Sequence, residues 1–126
     1  MRTIIALAMI LMAGVANAQQ QDDPFQTMGP GANTCGEFAQ DVRQNTDSQL
    51  IYFPWAQGYM SALNDVAAAA QQGDTVTYRN LHGWSTSDQL AYLRSYCNQH
   101  PSGNYADGVR SLFASLPTHS RPKGKA

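Results

Sequence analysis

Charge is scarce in this chain. Asp, Glu, Lys and Arg make up only 13% of 126 residues, and the formal net charge is −1. Without a basic excess, nothing favours a nucleic acid or an anionic membrane surface as partner. Cysteine is equally sparse, at two residues, and no apolar run exceeds the twelve residues from Ile4 to Val15. Twelve helical residues span about 18 Å at 1.5 Å each, whereas a bilayer core of about 30 Å needs about twenty. A G-x-S-x-G elbow, an H-E-x-x-H pair, a phosphate-binding glycine loop, a dinucleotide fingerprint and C-x-x-C-H are all missing. What is present is a 43% hydrophobic chain, too apolar to stay disordered and long enough for one domain.

The apolar run has the marks of an export signal. Arg2 precedes it, and Ala16-Asn17-Ala18 follows it with the small-x-small form cut by signal peptidase. Residues 1–18 are therefore predicted to be removed and the protein to be periplasmic, with no membrane insertion after cleavage. With Arg2 gone, seven Lys/Arg remain against nine Asp/Glu, a net charge of −2.

Export into an oxidising compartment predicts one disulfide between Cys35 and Cys97. The rival readings are a nucleophile formed by Cys97 with His100, and a zinc site gathered from Cys35, Cys97, His82 and His100. The first needs a thiol protected from its neighbour, and the second needs four ligands to converge. Neither a metal nor any other cofactor is expected.

Residues 19–33, with Gln-Gln-Gln-Asp-Asp-Pro and Gly29-Pro30-Gly31, read as a flexible leader, and 118–126 as a disordered basic tail. Between them, 34–117 reads as an all-α, four-helix single domain. Thr34-Cys35-Gly36-Glu37 has the capping-box form and opens a helix presenting Cys35, Phe38, Ala39 and Val42, which Asn45 and Thr46 end. The longest helix, about 49–72, carries Trp55, Tyr59, Ala62, Leu63, Val66 and Ala70 at spacings of three and four, which predicts a core-facing stripe. Gly58 within it predicts the close approach of another helix, and Gly73 a C-cap. Residues 73–85 read as a loop, because Thr75–Tyr78 has strand propensity but no evident partner strand. Thr86-Ser87-Asp88-Gln89 predicts a second capping box, and Asn104 or Ser102 a last helix bearing Val109, Leu112, Phe113 and Leu116.

With no catalytic constellation in view, the chain is not expected to be an enzyme. Its aromatics are the remaining lead. Trp55, Tyr59, Trp84 and Phe113 are candidates for a surface that binds a protein partner or unfolded clients, and a homodimer fits the same surplus of apolar side chains.

Three segments carry a family resemblance: Thr34-Cys35-Gly36-Glu37-Phe38, Trp55-Ala56-Gln57-Gly58-Tyr59, and Tyr96-Cys97-Asn98-Gln99-His100-Pro101. In the pattern T-C-x-x-F, W-x-x-G-Y and Y-C-x-x-[HN]-P behind an export signal, the chain resembles the HdeA-like family of small periplasmic acid-stress chaperones. The resemblance implies a compact helical fold, Cys35 paired with Cys97, a dimer near neutral pH, and holdase action after acid loosens the protein. It brings no catalytic residue. A cysteine-paired helical architecture is also similar to that of immunity proteins that neutralise type VI amidase toxins, which gives the alternative of an inhibitor bound to one periplasmic toxin or enzyme. The acid mechanism has a simple physical basis. Below about pH 3 carboxylates are neutral, and the cleaved chain would swing from −2 to about +11 at seven Lys/Arg, three His and its amino terminus.

Overall fold

The computed structural model describes residues 26–124. The expected export signal and the first part of the leader lie outside the described residues. Four α-helices follow one another: α1 (Cys35–Gln44), α2 (Gln49–Ala70), α3 (Thr86–Gln99) and α4 (Tyr105–Ser115). Two short strands, β1 (Thr75–Arg79) and β2 (Thr118–Pro122), pair antiparallel. The fold is thus mostly helical, and the all-α expectation is corrected by this small sheet.

Local chemistry explains where the helices begin. Thr34 Oγ1 accepts from the Glu37 amide at 3.2 Å, while Glu37 Oε2 accepts from the Thr34 amide at 2.6 Å, closing the capping box. Such a cap stabilises a helix start by about 1 kcal/mol. For α3 the cap falls one residue earlier than the sequence reading placed it. Ser85, not Thr86, receives the Asp88 amide at 3.1 Å. Gln89 is thereby released from a capping role and turns inward, donating through Nε2 to the carbonyls of Leu81 (2.8 Å) and Trp84 (3.0 Å). It pins the loop before α3 against the helix. Asn104 caps α4.

The core is one cluster in which Phe38, Tyr52 and Tyr105 form an aromatic triangle with centroids 4.8–5.0 Å apart. Phe53, Ala56 and Met60 of α2, Leu93 of α3, and Val109, Leu112 and Leu116 around α4 complete it. Cys35, at the start of α1, is bonded to Cys97 in the last turn of α3, and both are buried. The predicted disulfide is present, and no free cysteine remains among the described residues.

Tyr105 is fully buried, and its hydroxyl has no hydrogen-bond partner among the described residues. Burial pushes this phenol well above its ordinary pKa of 10, with Tyr52 beside it adding to the rise. The native state then keeps a proton that the unfolded chain loses above pH 10. Stability from this group is full below pH 10 and falls as pH rises, by up to about 1.4 kcal/mol per pH unit. Tyr105→Phe removes an unsatisfied polar atom and is expected to stabilise by about 1 kcal/mol. It should also flatten the alkaline loss. Urea midpoints at pH 7 and pH 11 check both, and a variant less stable than wild type at both values would refute the unpaired hydroxyl.

Four expectations change with the structure. First, the strand propensity of 75–78 does find a partner, in residues expected to be a disordered tail. Thr118–Pro122 is polar and fully exposed, so hydropathy could not reveal it. Backbone pairing with β1 orders it, and Thr77 and Ser120 hydroxyls meet across the ladder at 3.0 Å. The outer edge of β1 is closed by two side-chain amides that stand in for a third strand. Gln71 pairs with both the N–H and C=O of Thr77, and Asn64 with both of Arg79, every bond 2.8 Å long.

Second, the end of the expected flexible leader is folded: Gly29–Ala32 makes a single 3-10 turn with Gly31 buried, packed against α2 and α4. Third, Gly58 is exposed, with open space where a Cβ would stand, so no helix approaches it. Fourth, α2 turns Tyr52, Phe53, Ala56 and Met60 to the core instead of the expected stripe, and Val66 is 69% exposed. The chain leaves the helix after Ala70, with Gln71 as C-cap and Gly73 two residues on at φ +90° in the turn toward β1.

Candidate functional site

The stripe read from the sequence is a real row, but it lies on the flank of α2. Ile51, Trp55 and Tyr59 follow at i+4, and Leu63 and Val66 continue the line. Over its 22 residues α2 has one charged side chain, Asp65. A helix apolar on more than its core-facing side normally has a second neighbour to bury against.

The middle of the row is covered. The Trp55 and Tyr59 rings stack at 5.1 Å with an interplanar angle of 12°, and Trp55 reaches Tyr105 of the core at 6.2 Å. The 29–32 turn spreads along the indole: Gly29, at φ +68°, lies by Cδ1 and Nε1, and Gly31 lies against the six-membered ring. From α4, the Arg110 guanidinium sits 5.9 Å from the Tyr59 centroid and donates to its hydroxyl at 2.7 Å. The bond to Tyr59 and the neighbouring Asp107 carboxylate hold Arg110 above its ordinary pKa, so it is a permanent cation. The ends of the row are bare, with Ile51 66% and Val66 69% exposed, while Leu50, 73% exposed, lies on another face of the helix.

The four aromatic candidates do not form one site. Trp55 and Tyr59 are together. Trp84 instead packs edge-on to Tyr92 at 5.8 Å, and Phe113 has no aromatic partner among the described residues. All four are half-buried against the core. Leu50, Ile51 and the covering glycines were missed by sequence reasoning. The near absence of charge along α2 was the available sign that one face could not account for all its apolar residues.

Cys97 is held in a disulfide, so it offers His100 no thiolate. His100 stacks on Tyr96 at 4.2 Å, with Nδ1 2.9 Å from the Tyr96 carbonyl. No group of three or more His, Cys, Asp or Glu comes together among the described residues in a way that could hold a metal. No described helix is long and apolar enough to cross a membrane. A cleft of about 290 Å³ lies between the end of α2 and the two-stranded sheet, lined by Asp65, Ala68, Val76, Tyr78, Leu81 and Arg121 among others, and another of about 300 Å³ lies between α3 and α4 beside Tyr96 and His100.

No protein-family model, curated protein or solved structure matches this chain.

Proposed function

We propose that this protein is an exported, non-enzymatic holdase that binds unfolding proteins in the periplasm under acid stress. The observation that carries the reading is the apolar row on the flank of α2, bare at Ile51 and Val66 and covered at Trp55 and Tyr59. Exposed large apolar side chains in a row favour association with apolar polypeptide. The HdeA-like motifs and the export signal agree with this reading.

Acid supplies the trigger. Residues 26–124 hold six Lys/Arg and three His against seven Asp/Glu. When the carboxylates are protonated, only positive charge remains, and self-repulsion loosens packing that depends on the whole domain. The disulfide gains no proton and keeps α1 joined to α3. Between about pH 4 and pH 2, tryptophan emission is expected to shift and a hydrophobic dye to bind while most helical signal survives. In that window the protein should suppress light scattering by an acid-denatured client at near-stoichiometric amounts. A packed, inert domain at pH 2 would refute the proposal. One partner recovered at stoichiometric ratio at neutral pH would favour the immunity alternative instead.

A further inference from the structure

We propose that the Gly29–Ala32 turn is an intramolecular cover on the client-binding row, and that its release opens a surface for one extended apolar segment of an unfolding chain. This rests on the holdase reading and adds how the surface is gated. The row is covered where the turn and Arg110 meet Trp55 and Tyr59. Beyond that cover Ile51 and Val66 are solvent-exposed, and Leu63 between Tyr59 and Val66 is half-buried. Uncovered, it would run from Ile51 to Val66, sixteen residues spanning about 22 Å of helix, which accommodates an extended segment of about six or seven residues.

The present occupant shows that polypeptide backbone can lie on the indole. It is a short backbone segment of this chain, Gly29-Pro30-Gly31-Ala32, laid against the indole with almost no side chain of its own. Its fastenings are few. Asn33 Nδ2 donates to the Tyr52 hydroxyl at 2.7 Å, and the Asn33 carbonyl accepts from the Tyr105 amide at 2.8 Å. A competing segment with larger apolar side chains would bury more surface on the same ring. It would also reach the bare ends of the row, which the turn leaves untouched. The apparent affinity of such a row is reduced by the fraction of time it is covered.

Gly31 provides the test. Its backbone is not in the left-handed region, so alanine suits the conformation. Yet a Cβ there would overlap Cζ2 and Cη2 of the Trp55 indole, leaving the turn nowhere to seat. At pH 7, Gly31→Ala is expected to bind a reduced, alkylated, permanently unfolded polypeptide about tenfold or more tightly than wild type does. Adding Ile51→Ser or Val66→Ser should remove most of that gain. Should Gly31→Ala lose its helical signal, Asn33→Ala loosens the same turn without a clash and should shift binding in the same direction by less.

The outcomes separate the two ideas. A folded Gly31→Ala protein with red-shifted tryptophan emission but wild-type binding at pH 7 would overturn the cover. If wild type still held clients in acid, the holdase reading would stand. Gain of binding that ignores both Ile51→Ser and Val66→Ser would also overturn the proposal, by placing the client elsewhere. Absence of client binding by Gly31→Ala at pH 7 and by wild type in acid would remove both.

Discussion

Replacing Cys97 by serine is expected to lower stability by about 2–5 kcal/mol, measured as the shift in urea unfolding of the oxidised wild type against the variant. The bond closes a separation of 62 residues. In the chain-entropy account, a loop of that length restricts the unfolded ensemble enough to contribute about 4 kcal/mol. Serine also places a hydroxyl where a buried sulfur stood, and an unpaired buried hydroxyl adds its own cost. Some order would survive at this junction. The Cys35 amide donates to the Gly103 carbonyl at 2.7 Å, and the Gly36 amide to that of Pro101 at 2.9 Å, so backbone bonds tie α1 to the α3–α4 connection without the disulfide. Against a usual domain stability of about 5–15 kcal/mol the loss is large. It should also narrow the acid window, because the variant would lose the one cross-link that protonation cannot weaken. A change below about 1 kcal/mol would mean that the native contacts alone hold the two helices together.

How far the sequence could be read depended on whether a feature is local. The capping box at Thr34 and the end of α1 at Asn45 are fixed by residues three or four apart and stand where they were expected, and of the two starts open to the last helix, Asn104 and Ser102, the cap is Asn104. The sheet was hidden because β2 has no hydropathy signal. Its order comes from partners about forty residues away, including the Thr77–Ser120 hydroxyl pair. The turn over Trp55 was hidden for a related reason. Gly29-Pro30-Gly31 has the composition of a linker, and only the flat indole it meets turns that lack of side chains into a fit. On α2, spacing alone correctly placed Trp55, Tyr59, Leu63 and Val66 on one line. It could not say which of two apolar lines faced the core. That choice follows from Phe38 and Tyr105, which meet Tyr52 from other helices.

Truncating Phe38 to alanine is expected to cost about 3–5 kcal/mol, the usual range for a large aromatic lost from a packed interior. Phe38 is buried between Tyr52 and Tyr105, and both neighbours are held by bonds that oppose collapse into the gap. The Tyr52 hydroxyl donates to Asp41 Oδ2 at 2.7 Å, and the Tyr105 amide donates to the Asn33 carbonyl. Urea unfolding of the oxidised variant measures the effect. The informative comparison is Ile51→Ser, an apolar residue of the same helix line as Trp55 but exposed to solvent. Surface changes of that kind stay within about 0.5 kcal/mol. Ile51→Ser should therefore leave the urea midpoint almost unmoved while weakening client retention in acid. Phe38→Ala should do the reverse: it lowers stability and moves the onset of dye binding to higher pH, while the bare row stays in place to hold clients. If Ile51→Ser instead destabilised as much as Phe38→Ala, the flank of α2 would be structural, and the basis for a client surface there would be gone.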